Sequence, residues 1–134
     1  MKTRPALTVC ATITADGKLA AVQADLQDFD PGPGDVALTL TEGDDPVQSL
    51  RSLPARADTR RVFCLGDPAM FRRLFDENLV AEIRLLVRPT IAGQRSAATL
   101  SGLPGEYFPA SIRCRLTKMT PRGDGCFLCY RVLN

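Results

Sequence analysis

The sequence predicts an α/β fold organised around one mixed sheet, and three observations carry that prediction. ALTVCATIT, residues 6 to 14, is apolar or small at almost every position, as a strand covered on both faces is. PAMFRRLFDE, residues 68 to 77, follows the strand-like run RVFCL (61 to 65) and places Phe71, Leu74 and Phe75 on one helical face. SIRCRLTKM (111 to 119) and CFLCYRVL (126 to 133) alternate apolar and polar residues and are joined by TPRGDG, which reads as an antiparallel hairpin.

The remaining elements follow in chain order. The first strand runs into ADGK, a turn at 15 to 18, and then into QADLQDFDPGPGD, a loop with room for a weak helix before Asp30. VALTLT, 36 to 41, is a second strand. After it Asp45 is placed to cap a short helix, with Pro46 at its first position and Gln48 three residues after the cap; the helix carries Val47, Leu50 and Leu53 and stops before Pro54. Asn78 is a left-handed terminator for the 68 to 77 helix. EIRLLVRP, 82 to 89, sets Ile83, Leu85 and Val87 against Glu82, Arg84 and Arg88, a strand with one more polar face. No internal repeat or long linker divides the chain, so residues 1 to 134 read as one domain.

Composition narrows the function classes. A net charge of +2 with scattered Lys and Arg argues against nucleic acid and anionic membranes as partners, and no stretch approaches the ~18 apolar residues of a membrane span. The amino terminus does not read as a signal peptide, and five irregularly spaced cysteines point to reduced thiols in a cytoplasmic protein. Cys126 and Cys129 form a C-x-x-C within a strand, where residues three apart point to opposite faces and cannot share a metal ion, so no metal site is assigned. The chain has no histidine, which removes Ser-His and Cys-His nucleophile pairs; an enzyme built on it needs carboxylates, lysine, tyrosine or water for proton transfer.

CLGDPAMFRRLF, 64 to 75, supports two readings. Asp67 is an N-cap for a helix with Pro68 at its first position. Alternatively Gly66, with the free amides and dipole of the helix start, lets an anion approach, and the Asp67 carboxylate opposes it.

Segment order adds a resemblance. RPALTVCATITADGKLA, residues 4 to 20, is similar to the first strand and turn of the reductase domain of riboflavin biosynthesis, the carboxyl-terminal half of the bifunctional deaminase-reductase, through Thr14, Asp16, Gly17, Lys18 and Ala20. VFCLGDPAMFRRLFDENLVAEIRLLVRPTIAG resembles that family's strand, Gly-Gly-Pro, helix, Leu-Val-Asp-Glu, strand, Pro and Gly through Gly66, Pro68, Leu79, Val80, Glu82, Pro89 and Gly93. The terminal YRV hairpin is also typical. The middle is shortened: the family's helix and Gly-x-x-Thr strand that embrace the cofactor have no counterpart between ADGK and VALTLT. Leu65 and Asp67 flank Gly66 where the family has Glu-Gly-Gly, and Ala81 replaces an Asp.

The resemblance implies a dihydrofolate-reductase-like mixed sheet flanked by helices, and an NADPH-dependent reductase-like protein acting on a pyrimidine or pterin-like small molecule, related to the 5-amino-6-(5-phosphoribosylamino)uracil reductase. It places Thr14, Asp16 and Lys18 beside the substrate and Gly66, Asp67, Pro68, Ala69 and Met70 beside the cofactor phosphates. For Lys18 the residue types alone allow a solvated turn lysine equally well. No catalytic residue is assigned. The resemblance also implies a homodimer paired through the carboxyl-terminal strands. The alternative function is a non-catalytic, shortened member that binds a small molecule or serves as a dimeric interaction domain.

Overall fold

The structure, a computed structural model, describes residues 6–40, 45, 48, 61–66, 68–94, 96–105 and 108–133. Six strands form one sheet: β1 (Ala6–Thr14), β2 (Asp35–Leu40), β3 (Arg61–Gly66), β4 (Val80–Arg88), β5 (Arg113–Arg122) and β6 (Gly125–Leu133), in the order β2-β3-β1-β4-β6-β5. The first four are parallel to one another and β6 and β5 complete the sheet antiparallel. The mixed sheet predicted from sequence is therefore present, with β1 in its interior. Residues 7 to 12 are all buried, which explains why that run tolerates no charge.

Among the described residues one α-helix, α1 (Pro68–Asp76), covers one face. Met70, Phe71 and Leu74 pack on Leu7, Val9, Ala11, Val62, Cys64, Ile83 and Leu85, a core built from alternate residues of three strands. The helix ends as its sequence dictates. Asn78 adopts φ 56°, and the amides of Asn78 and Leu79 donate to the carbonyls of Phe75 (3.0 Å) and Leu74 (3.1 Å), a Schellman closure.

The opposite face is covered by the loop after β1. A short 3₁₀ turn, Leu26–Phe29, drops Phe29 onto Cys10, Phe63, Phe127 and Cys129. The more polar face of β4 lies under this loop and carries a buried charge. Arg84 is buried there: it donates to the carbonyls of Phe29 (2.9 Å) and Asp30 (2.8 Å), pairs with Glu82 (2.9 Å) and lies over the Phe63 ring. The Glu82 carboxylate also accepts from the Thr8 hydroxyl (3.0 Å) and meets Arg61 at 3.5 Å. A charged pair alternating with Ile83 and Leu85 is thus a tie that holds the loop down.

Strand boundaries differ most in the hairpin. Residues Thr120, Pro121 and Arg122 belong to β5 and Gly125 to β6, leaving Gly123 and Asp124 as the turn. Pro121 is accommodated because β5 lies at the sheet edge, where a missing amide disturbs no further strand. Cys126 and Cys129 alternate as expected: Cys129 packs with Phe29 and Phe127, while Cys126 points to the α1 side. The helix expected after Asp45 lies outside the described residues except for its cap, where the Gln48 amide donates to Asp45 Oδ1 at 3.4 Å.

Candidate functional site

In parallel sheets ligands are met outside the carboxyl ends of the strands, where loops from neighbouring strands converge. Here β1, β3 and β4 run the same way, and their carboxyl ends bring together Thr14 with its turn, Gly66 with the start of α1, and Arg88 with the loop that follows it. The fold therefore gathers at one end of the sheet segments that lie far apart in the sequence.

The turn after β1 is closed on itself. Thr14 N–H donates to the Lys18 carbonyl (2.8 Å), Gly17 N–H to the Thr14 carbonyl (2.9 Å), and Gly17 has φ +83°, a conformation that favours glycine. The chain then returns along β1 on the side where β3 pairs only as far as Val9. Gln23 completes that side, accepting from Thr12 N–H (2.7 Å) and donating to the Thr12 carbonyl (2.8 Å). Lys18 is half-buried, and no hydrogen bond or ion pair of its side chain is made with the described residues.

Asp16 is engaged more fully. Its Oδ1 accepts from the Thr14 hydroxyl (2.5 Å) and from Ala92 N–H (3.1 Å), and its Oδ2 from Gly93 N–H (2.9 Å). The Thr14 hydroxyl and these two amides hold the carboxyl down to about pKa 2, so it is a carboxylate at any physiological pH.

Among the residues expected near the cofactor, Gly66 ends β3, and Pro68, Ala69 and Met70 open α1. Met70 is 1% exposed and packs in the core, so its side chain is turned away from any ligand. Asp67 lies outside the described residues. Sequence reasoning did not single out Arg88, which is the register partner of Thr14 and is exposed at the same strand end. Its signal was its place just before Pro89 at the end of an alternating strand.

A cavity of about 440 Å³ lies at the opposite end of the sheet, lined by residues that include Phe75, Val80, Phe108, Ile112 and Val132. None of the predicted site residues borders it. The carboxyl-end cluster is preferred as the functional site because it combines polar groups, glycines and a helix start.

The sheet order, helix α1 on one face and the loops at the carboxyl strand ends define a dihydrofolate-reductase-like fold. The chain belongs to the RibD C-terminal domain family, whose model matches residues 35–128. That match begins at β2, so Thr14, Asp16 and Lys18 fall outside it. No curated protein matches the sequence significantly. Among solved structures, RibD of Acinetobacter baumannii superposes with TM-score 0.66 at 14% identity over 97% of this chain and 58% of its own length. A pyrimidine reductase-like protein of Corynebacterium diphtheriae gives 0.65 at 12% identity, covering 97% of this chain and 92% of that one. The riboflavin biosynthesis reductase Rib7 of Saccharomyces cerevisiae gives 0.60 at 12% identity, covering 97% and 89%. The chain thus spans about three-fifths of the Acinetobacter protein.

Proposed function

We propose that the protein is an NADPH-dependent reductase acting on a pyrimidine or pterin-like small molecule in the cytoplasm. The observation that carries this reading is the convergence of the Thr14 to Lys18 turn, the Gly66 strand end and the start of α1 at one end of a sheet whose family is that of a riboflavin-pathway reductase domain.

The residues present fit a dinucleotide in one respect. The first-turn amide of Ala69 has no acceptor within α1, and Gly66 precedes the helix without a side chain. These groups would hold the phosphates, and NADPH would supply the hydride. Lys18 would orient the substrate across the mouth formed by the two loops, and the apolar Leu19 behind it excludes water by packing on the core. With no histidine in the chain, proton delivery falls to Lys18 or to water.

A second reading, a non-catalytic small-molecule-binding or dimeric domain, is favoured by Leu65 and Ala81, which stand where the family has acids, and by the shortened segment before β2. Titrating NADPH into the purified protein and following its fluorescence separates the two. Saturable binding in the micromolar range supports the reductase; no binding up to millimolar NADPH supports the second reading.

The assembly proposed is a homodimer through the α1-side surface of β5 and β6. Leu116 is 49% and Met119 63% exposed there, beside the half-buried Leu128 and Tyr130. Such a surface on an edge hairpin is suited to a second copy of the same chain.

A further inference from the structure

We infer that Asp16 is a positioning residue: its carboxylate latches the loop after β4 onto the turn after β1, and through Thr14 it holds Lys18 in place at the mouth of the site. The inference rests on the reductase reading for what the mouth does, and on the hydrogen bonds of Asp16 alone for the latch.

Beyond the last register pair, Thr14 with Arg88, the backbones of β1 and β4 stay joined by one hydrogen bond, Ala15 N–H to the Thr90 carbonyl at 2.7 Å. Further out the two loops are tied by Leu19 N–H, which donates to the Ala98 carbonyl at 2.8 Å, and by the Asp16 carboxylate, the one side chain that joins the turn to residues 92 and 93. Two consecutive amides, Ala92 and Gly93, address the two oxygens of one carboxylate, and Gly93 at φ +66° turns the chain there. On the other side the Thr14 hydroxyl donates to Asp16 Oδ1 and accepts from Lys18 N–H at 3.2 Å. The relay therefore runs from Lys18 through Thr14 and Asp16 to the loop.

Donor chemistry requires an acceptor-only group in this position. An aspartate offers two acceptor oxygens to three donors, whereas an asparagine offers one and turns its NH₂ toward a hydrogen that has nowhere to go. Asp16 makes no ion pair with the described residues, so these donors are what balances its charge. A group satisfied in this way has little left for a substrate and a great deal to do in keeping two loops together.

The test is amide hydrogen exchange by NMR on the wild type, Asp16→Asn and Thr14→Val, with an NADPH titration of each. In Asp16→Asn the amides of Ala92, Gly93 and Lys18 are expected to exchange about tenfold or more faster, while Val9 and Val62 in the core keep their wild-type rates. In Thr14→Val only Lys18 is expected to speed up, because the carboxylate still holds the loop. Acceleration confined to Ala92 and Gly93 in Asp16→Asn, with Lys18 unchanged, would reduce Asp16 to a loop clamp and overturn the positioning role. Unchanged exchange at all three would overturn the latch itself. If Asp16→Asn does not fold, faster exchange at Ala92 and Gly93 in Thr14→Val would count against the relay and wild-type rates there, with Lys18 accelerated, would uphold it. Failure of the wild type to bind NADPH would remove the reductase reading and leave the exchange results standing.

Discussion

Gly125 shows how one residue without a side chain sets the geometry beside the site. A Cβ placed on it would lie 2.1 Å from the Val87 carbonyl oxygen, a backbone atom that cannot swing aside. The close approach is what lets the hairpin enter beside the end of β4. Gly125→Ala is expected to destabilise the protein by about 1–3 kcal/mol, read from urea unfolding, because the strands must separate to admit the methyl. Arg84 is the second such residue. Replacing it with methionine keeps much of the volume over Phe63 but leaves the Phe29 and Asp30 carbonyls without their donor and the Glu82 carboxylate with only Thr8 and Arg61. A loss of about 3–5 kcal/mol is expected, and removing the opposing charge by Glu82→Gln in the same chain should recover part of it.

At the scale of elements, α1 depends on one apolar stripe and a well-made end. Leu74 is fully buried and supplies the carbonyl that closes the helix, so Leu74→Ala is expected to cost about 2–5 kcal/mol in equilibrium unfolding. β1 and β3 carry thiols that behave as core. Burial pushes the Cys64 thiol up to about 12 and the Cys10 thiol well above its ordinary range, so neither forms thiolate near neutral pH. A thiol reagent such as dithionitrobenzoate is expected to leave both unmodified until the protein is unfolded. Rapid labelling of either in the native protein would mean that the sheet opens there. β5 behaves oppositely, with only Thr120 of its ten residues protected from solvent even in part. Arg113, Arg115, Lys118 and Arg122 line the side away from α1, a charged guard against edge-to-edge pairing, while Lys118 and Arg122 also lie over Phe127.

For the whole molecule, the proposed dimer predicts that Leu116→Arg shifts the protein to monomer in sedimentation without lowering its monomeric stability, and that Cys114, on the same side of β5, then reacts faster with the thiol reagent. A wild type that sediments as a monomer at all concentrations contradicts it. Acid should weaken the fold in a defined window. Asp16 is lowered from 3.8 to about 2 by the Thr14 hydroxyl and the Gly93 and Ala92 amides, and Asp30 is lowered by its hydrogen bond and charge contact with Lys118. Both folded values lie below the unfolded ones, so their contribution is complete above about pH 4 and is lost as pH falls toward 2. The melting temperature is expected to be flat above that range and to drop within it, with a shallower drop in Asp16→Asn.

Much of this protein was legible in its sequence because the determinants are local. The buried run of β1, the Asn78 terminator, the Asp45 cap and the alternation of β6 are each written within a few residues, and their physics does not depend on the rest of the chain. Two matters were decided only by tertiary structure. Arg84 and Glu82 alternate as a solvated strand face would, and nothing within β4 announces that a loop some fifty residues upstream supplies the carbonyls that bury Arg84. Likewise Asp16 reads from sequence as a turn residue beside a substrate, while its partners, Ala92 and Gly93, lie more than seventy residues away and reach it only because β1 and β4 are neighbours in the sheet. Hydrophobic periodicity reports which face an element turns to the core; it carries no information about which distant polar group will meet the other face, and that pairing is fixed by strand order and register.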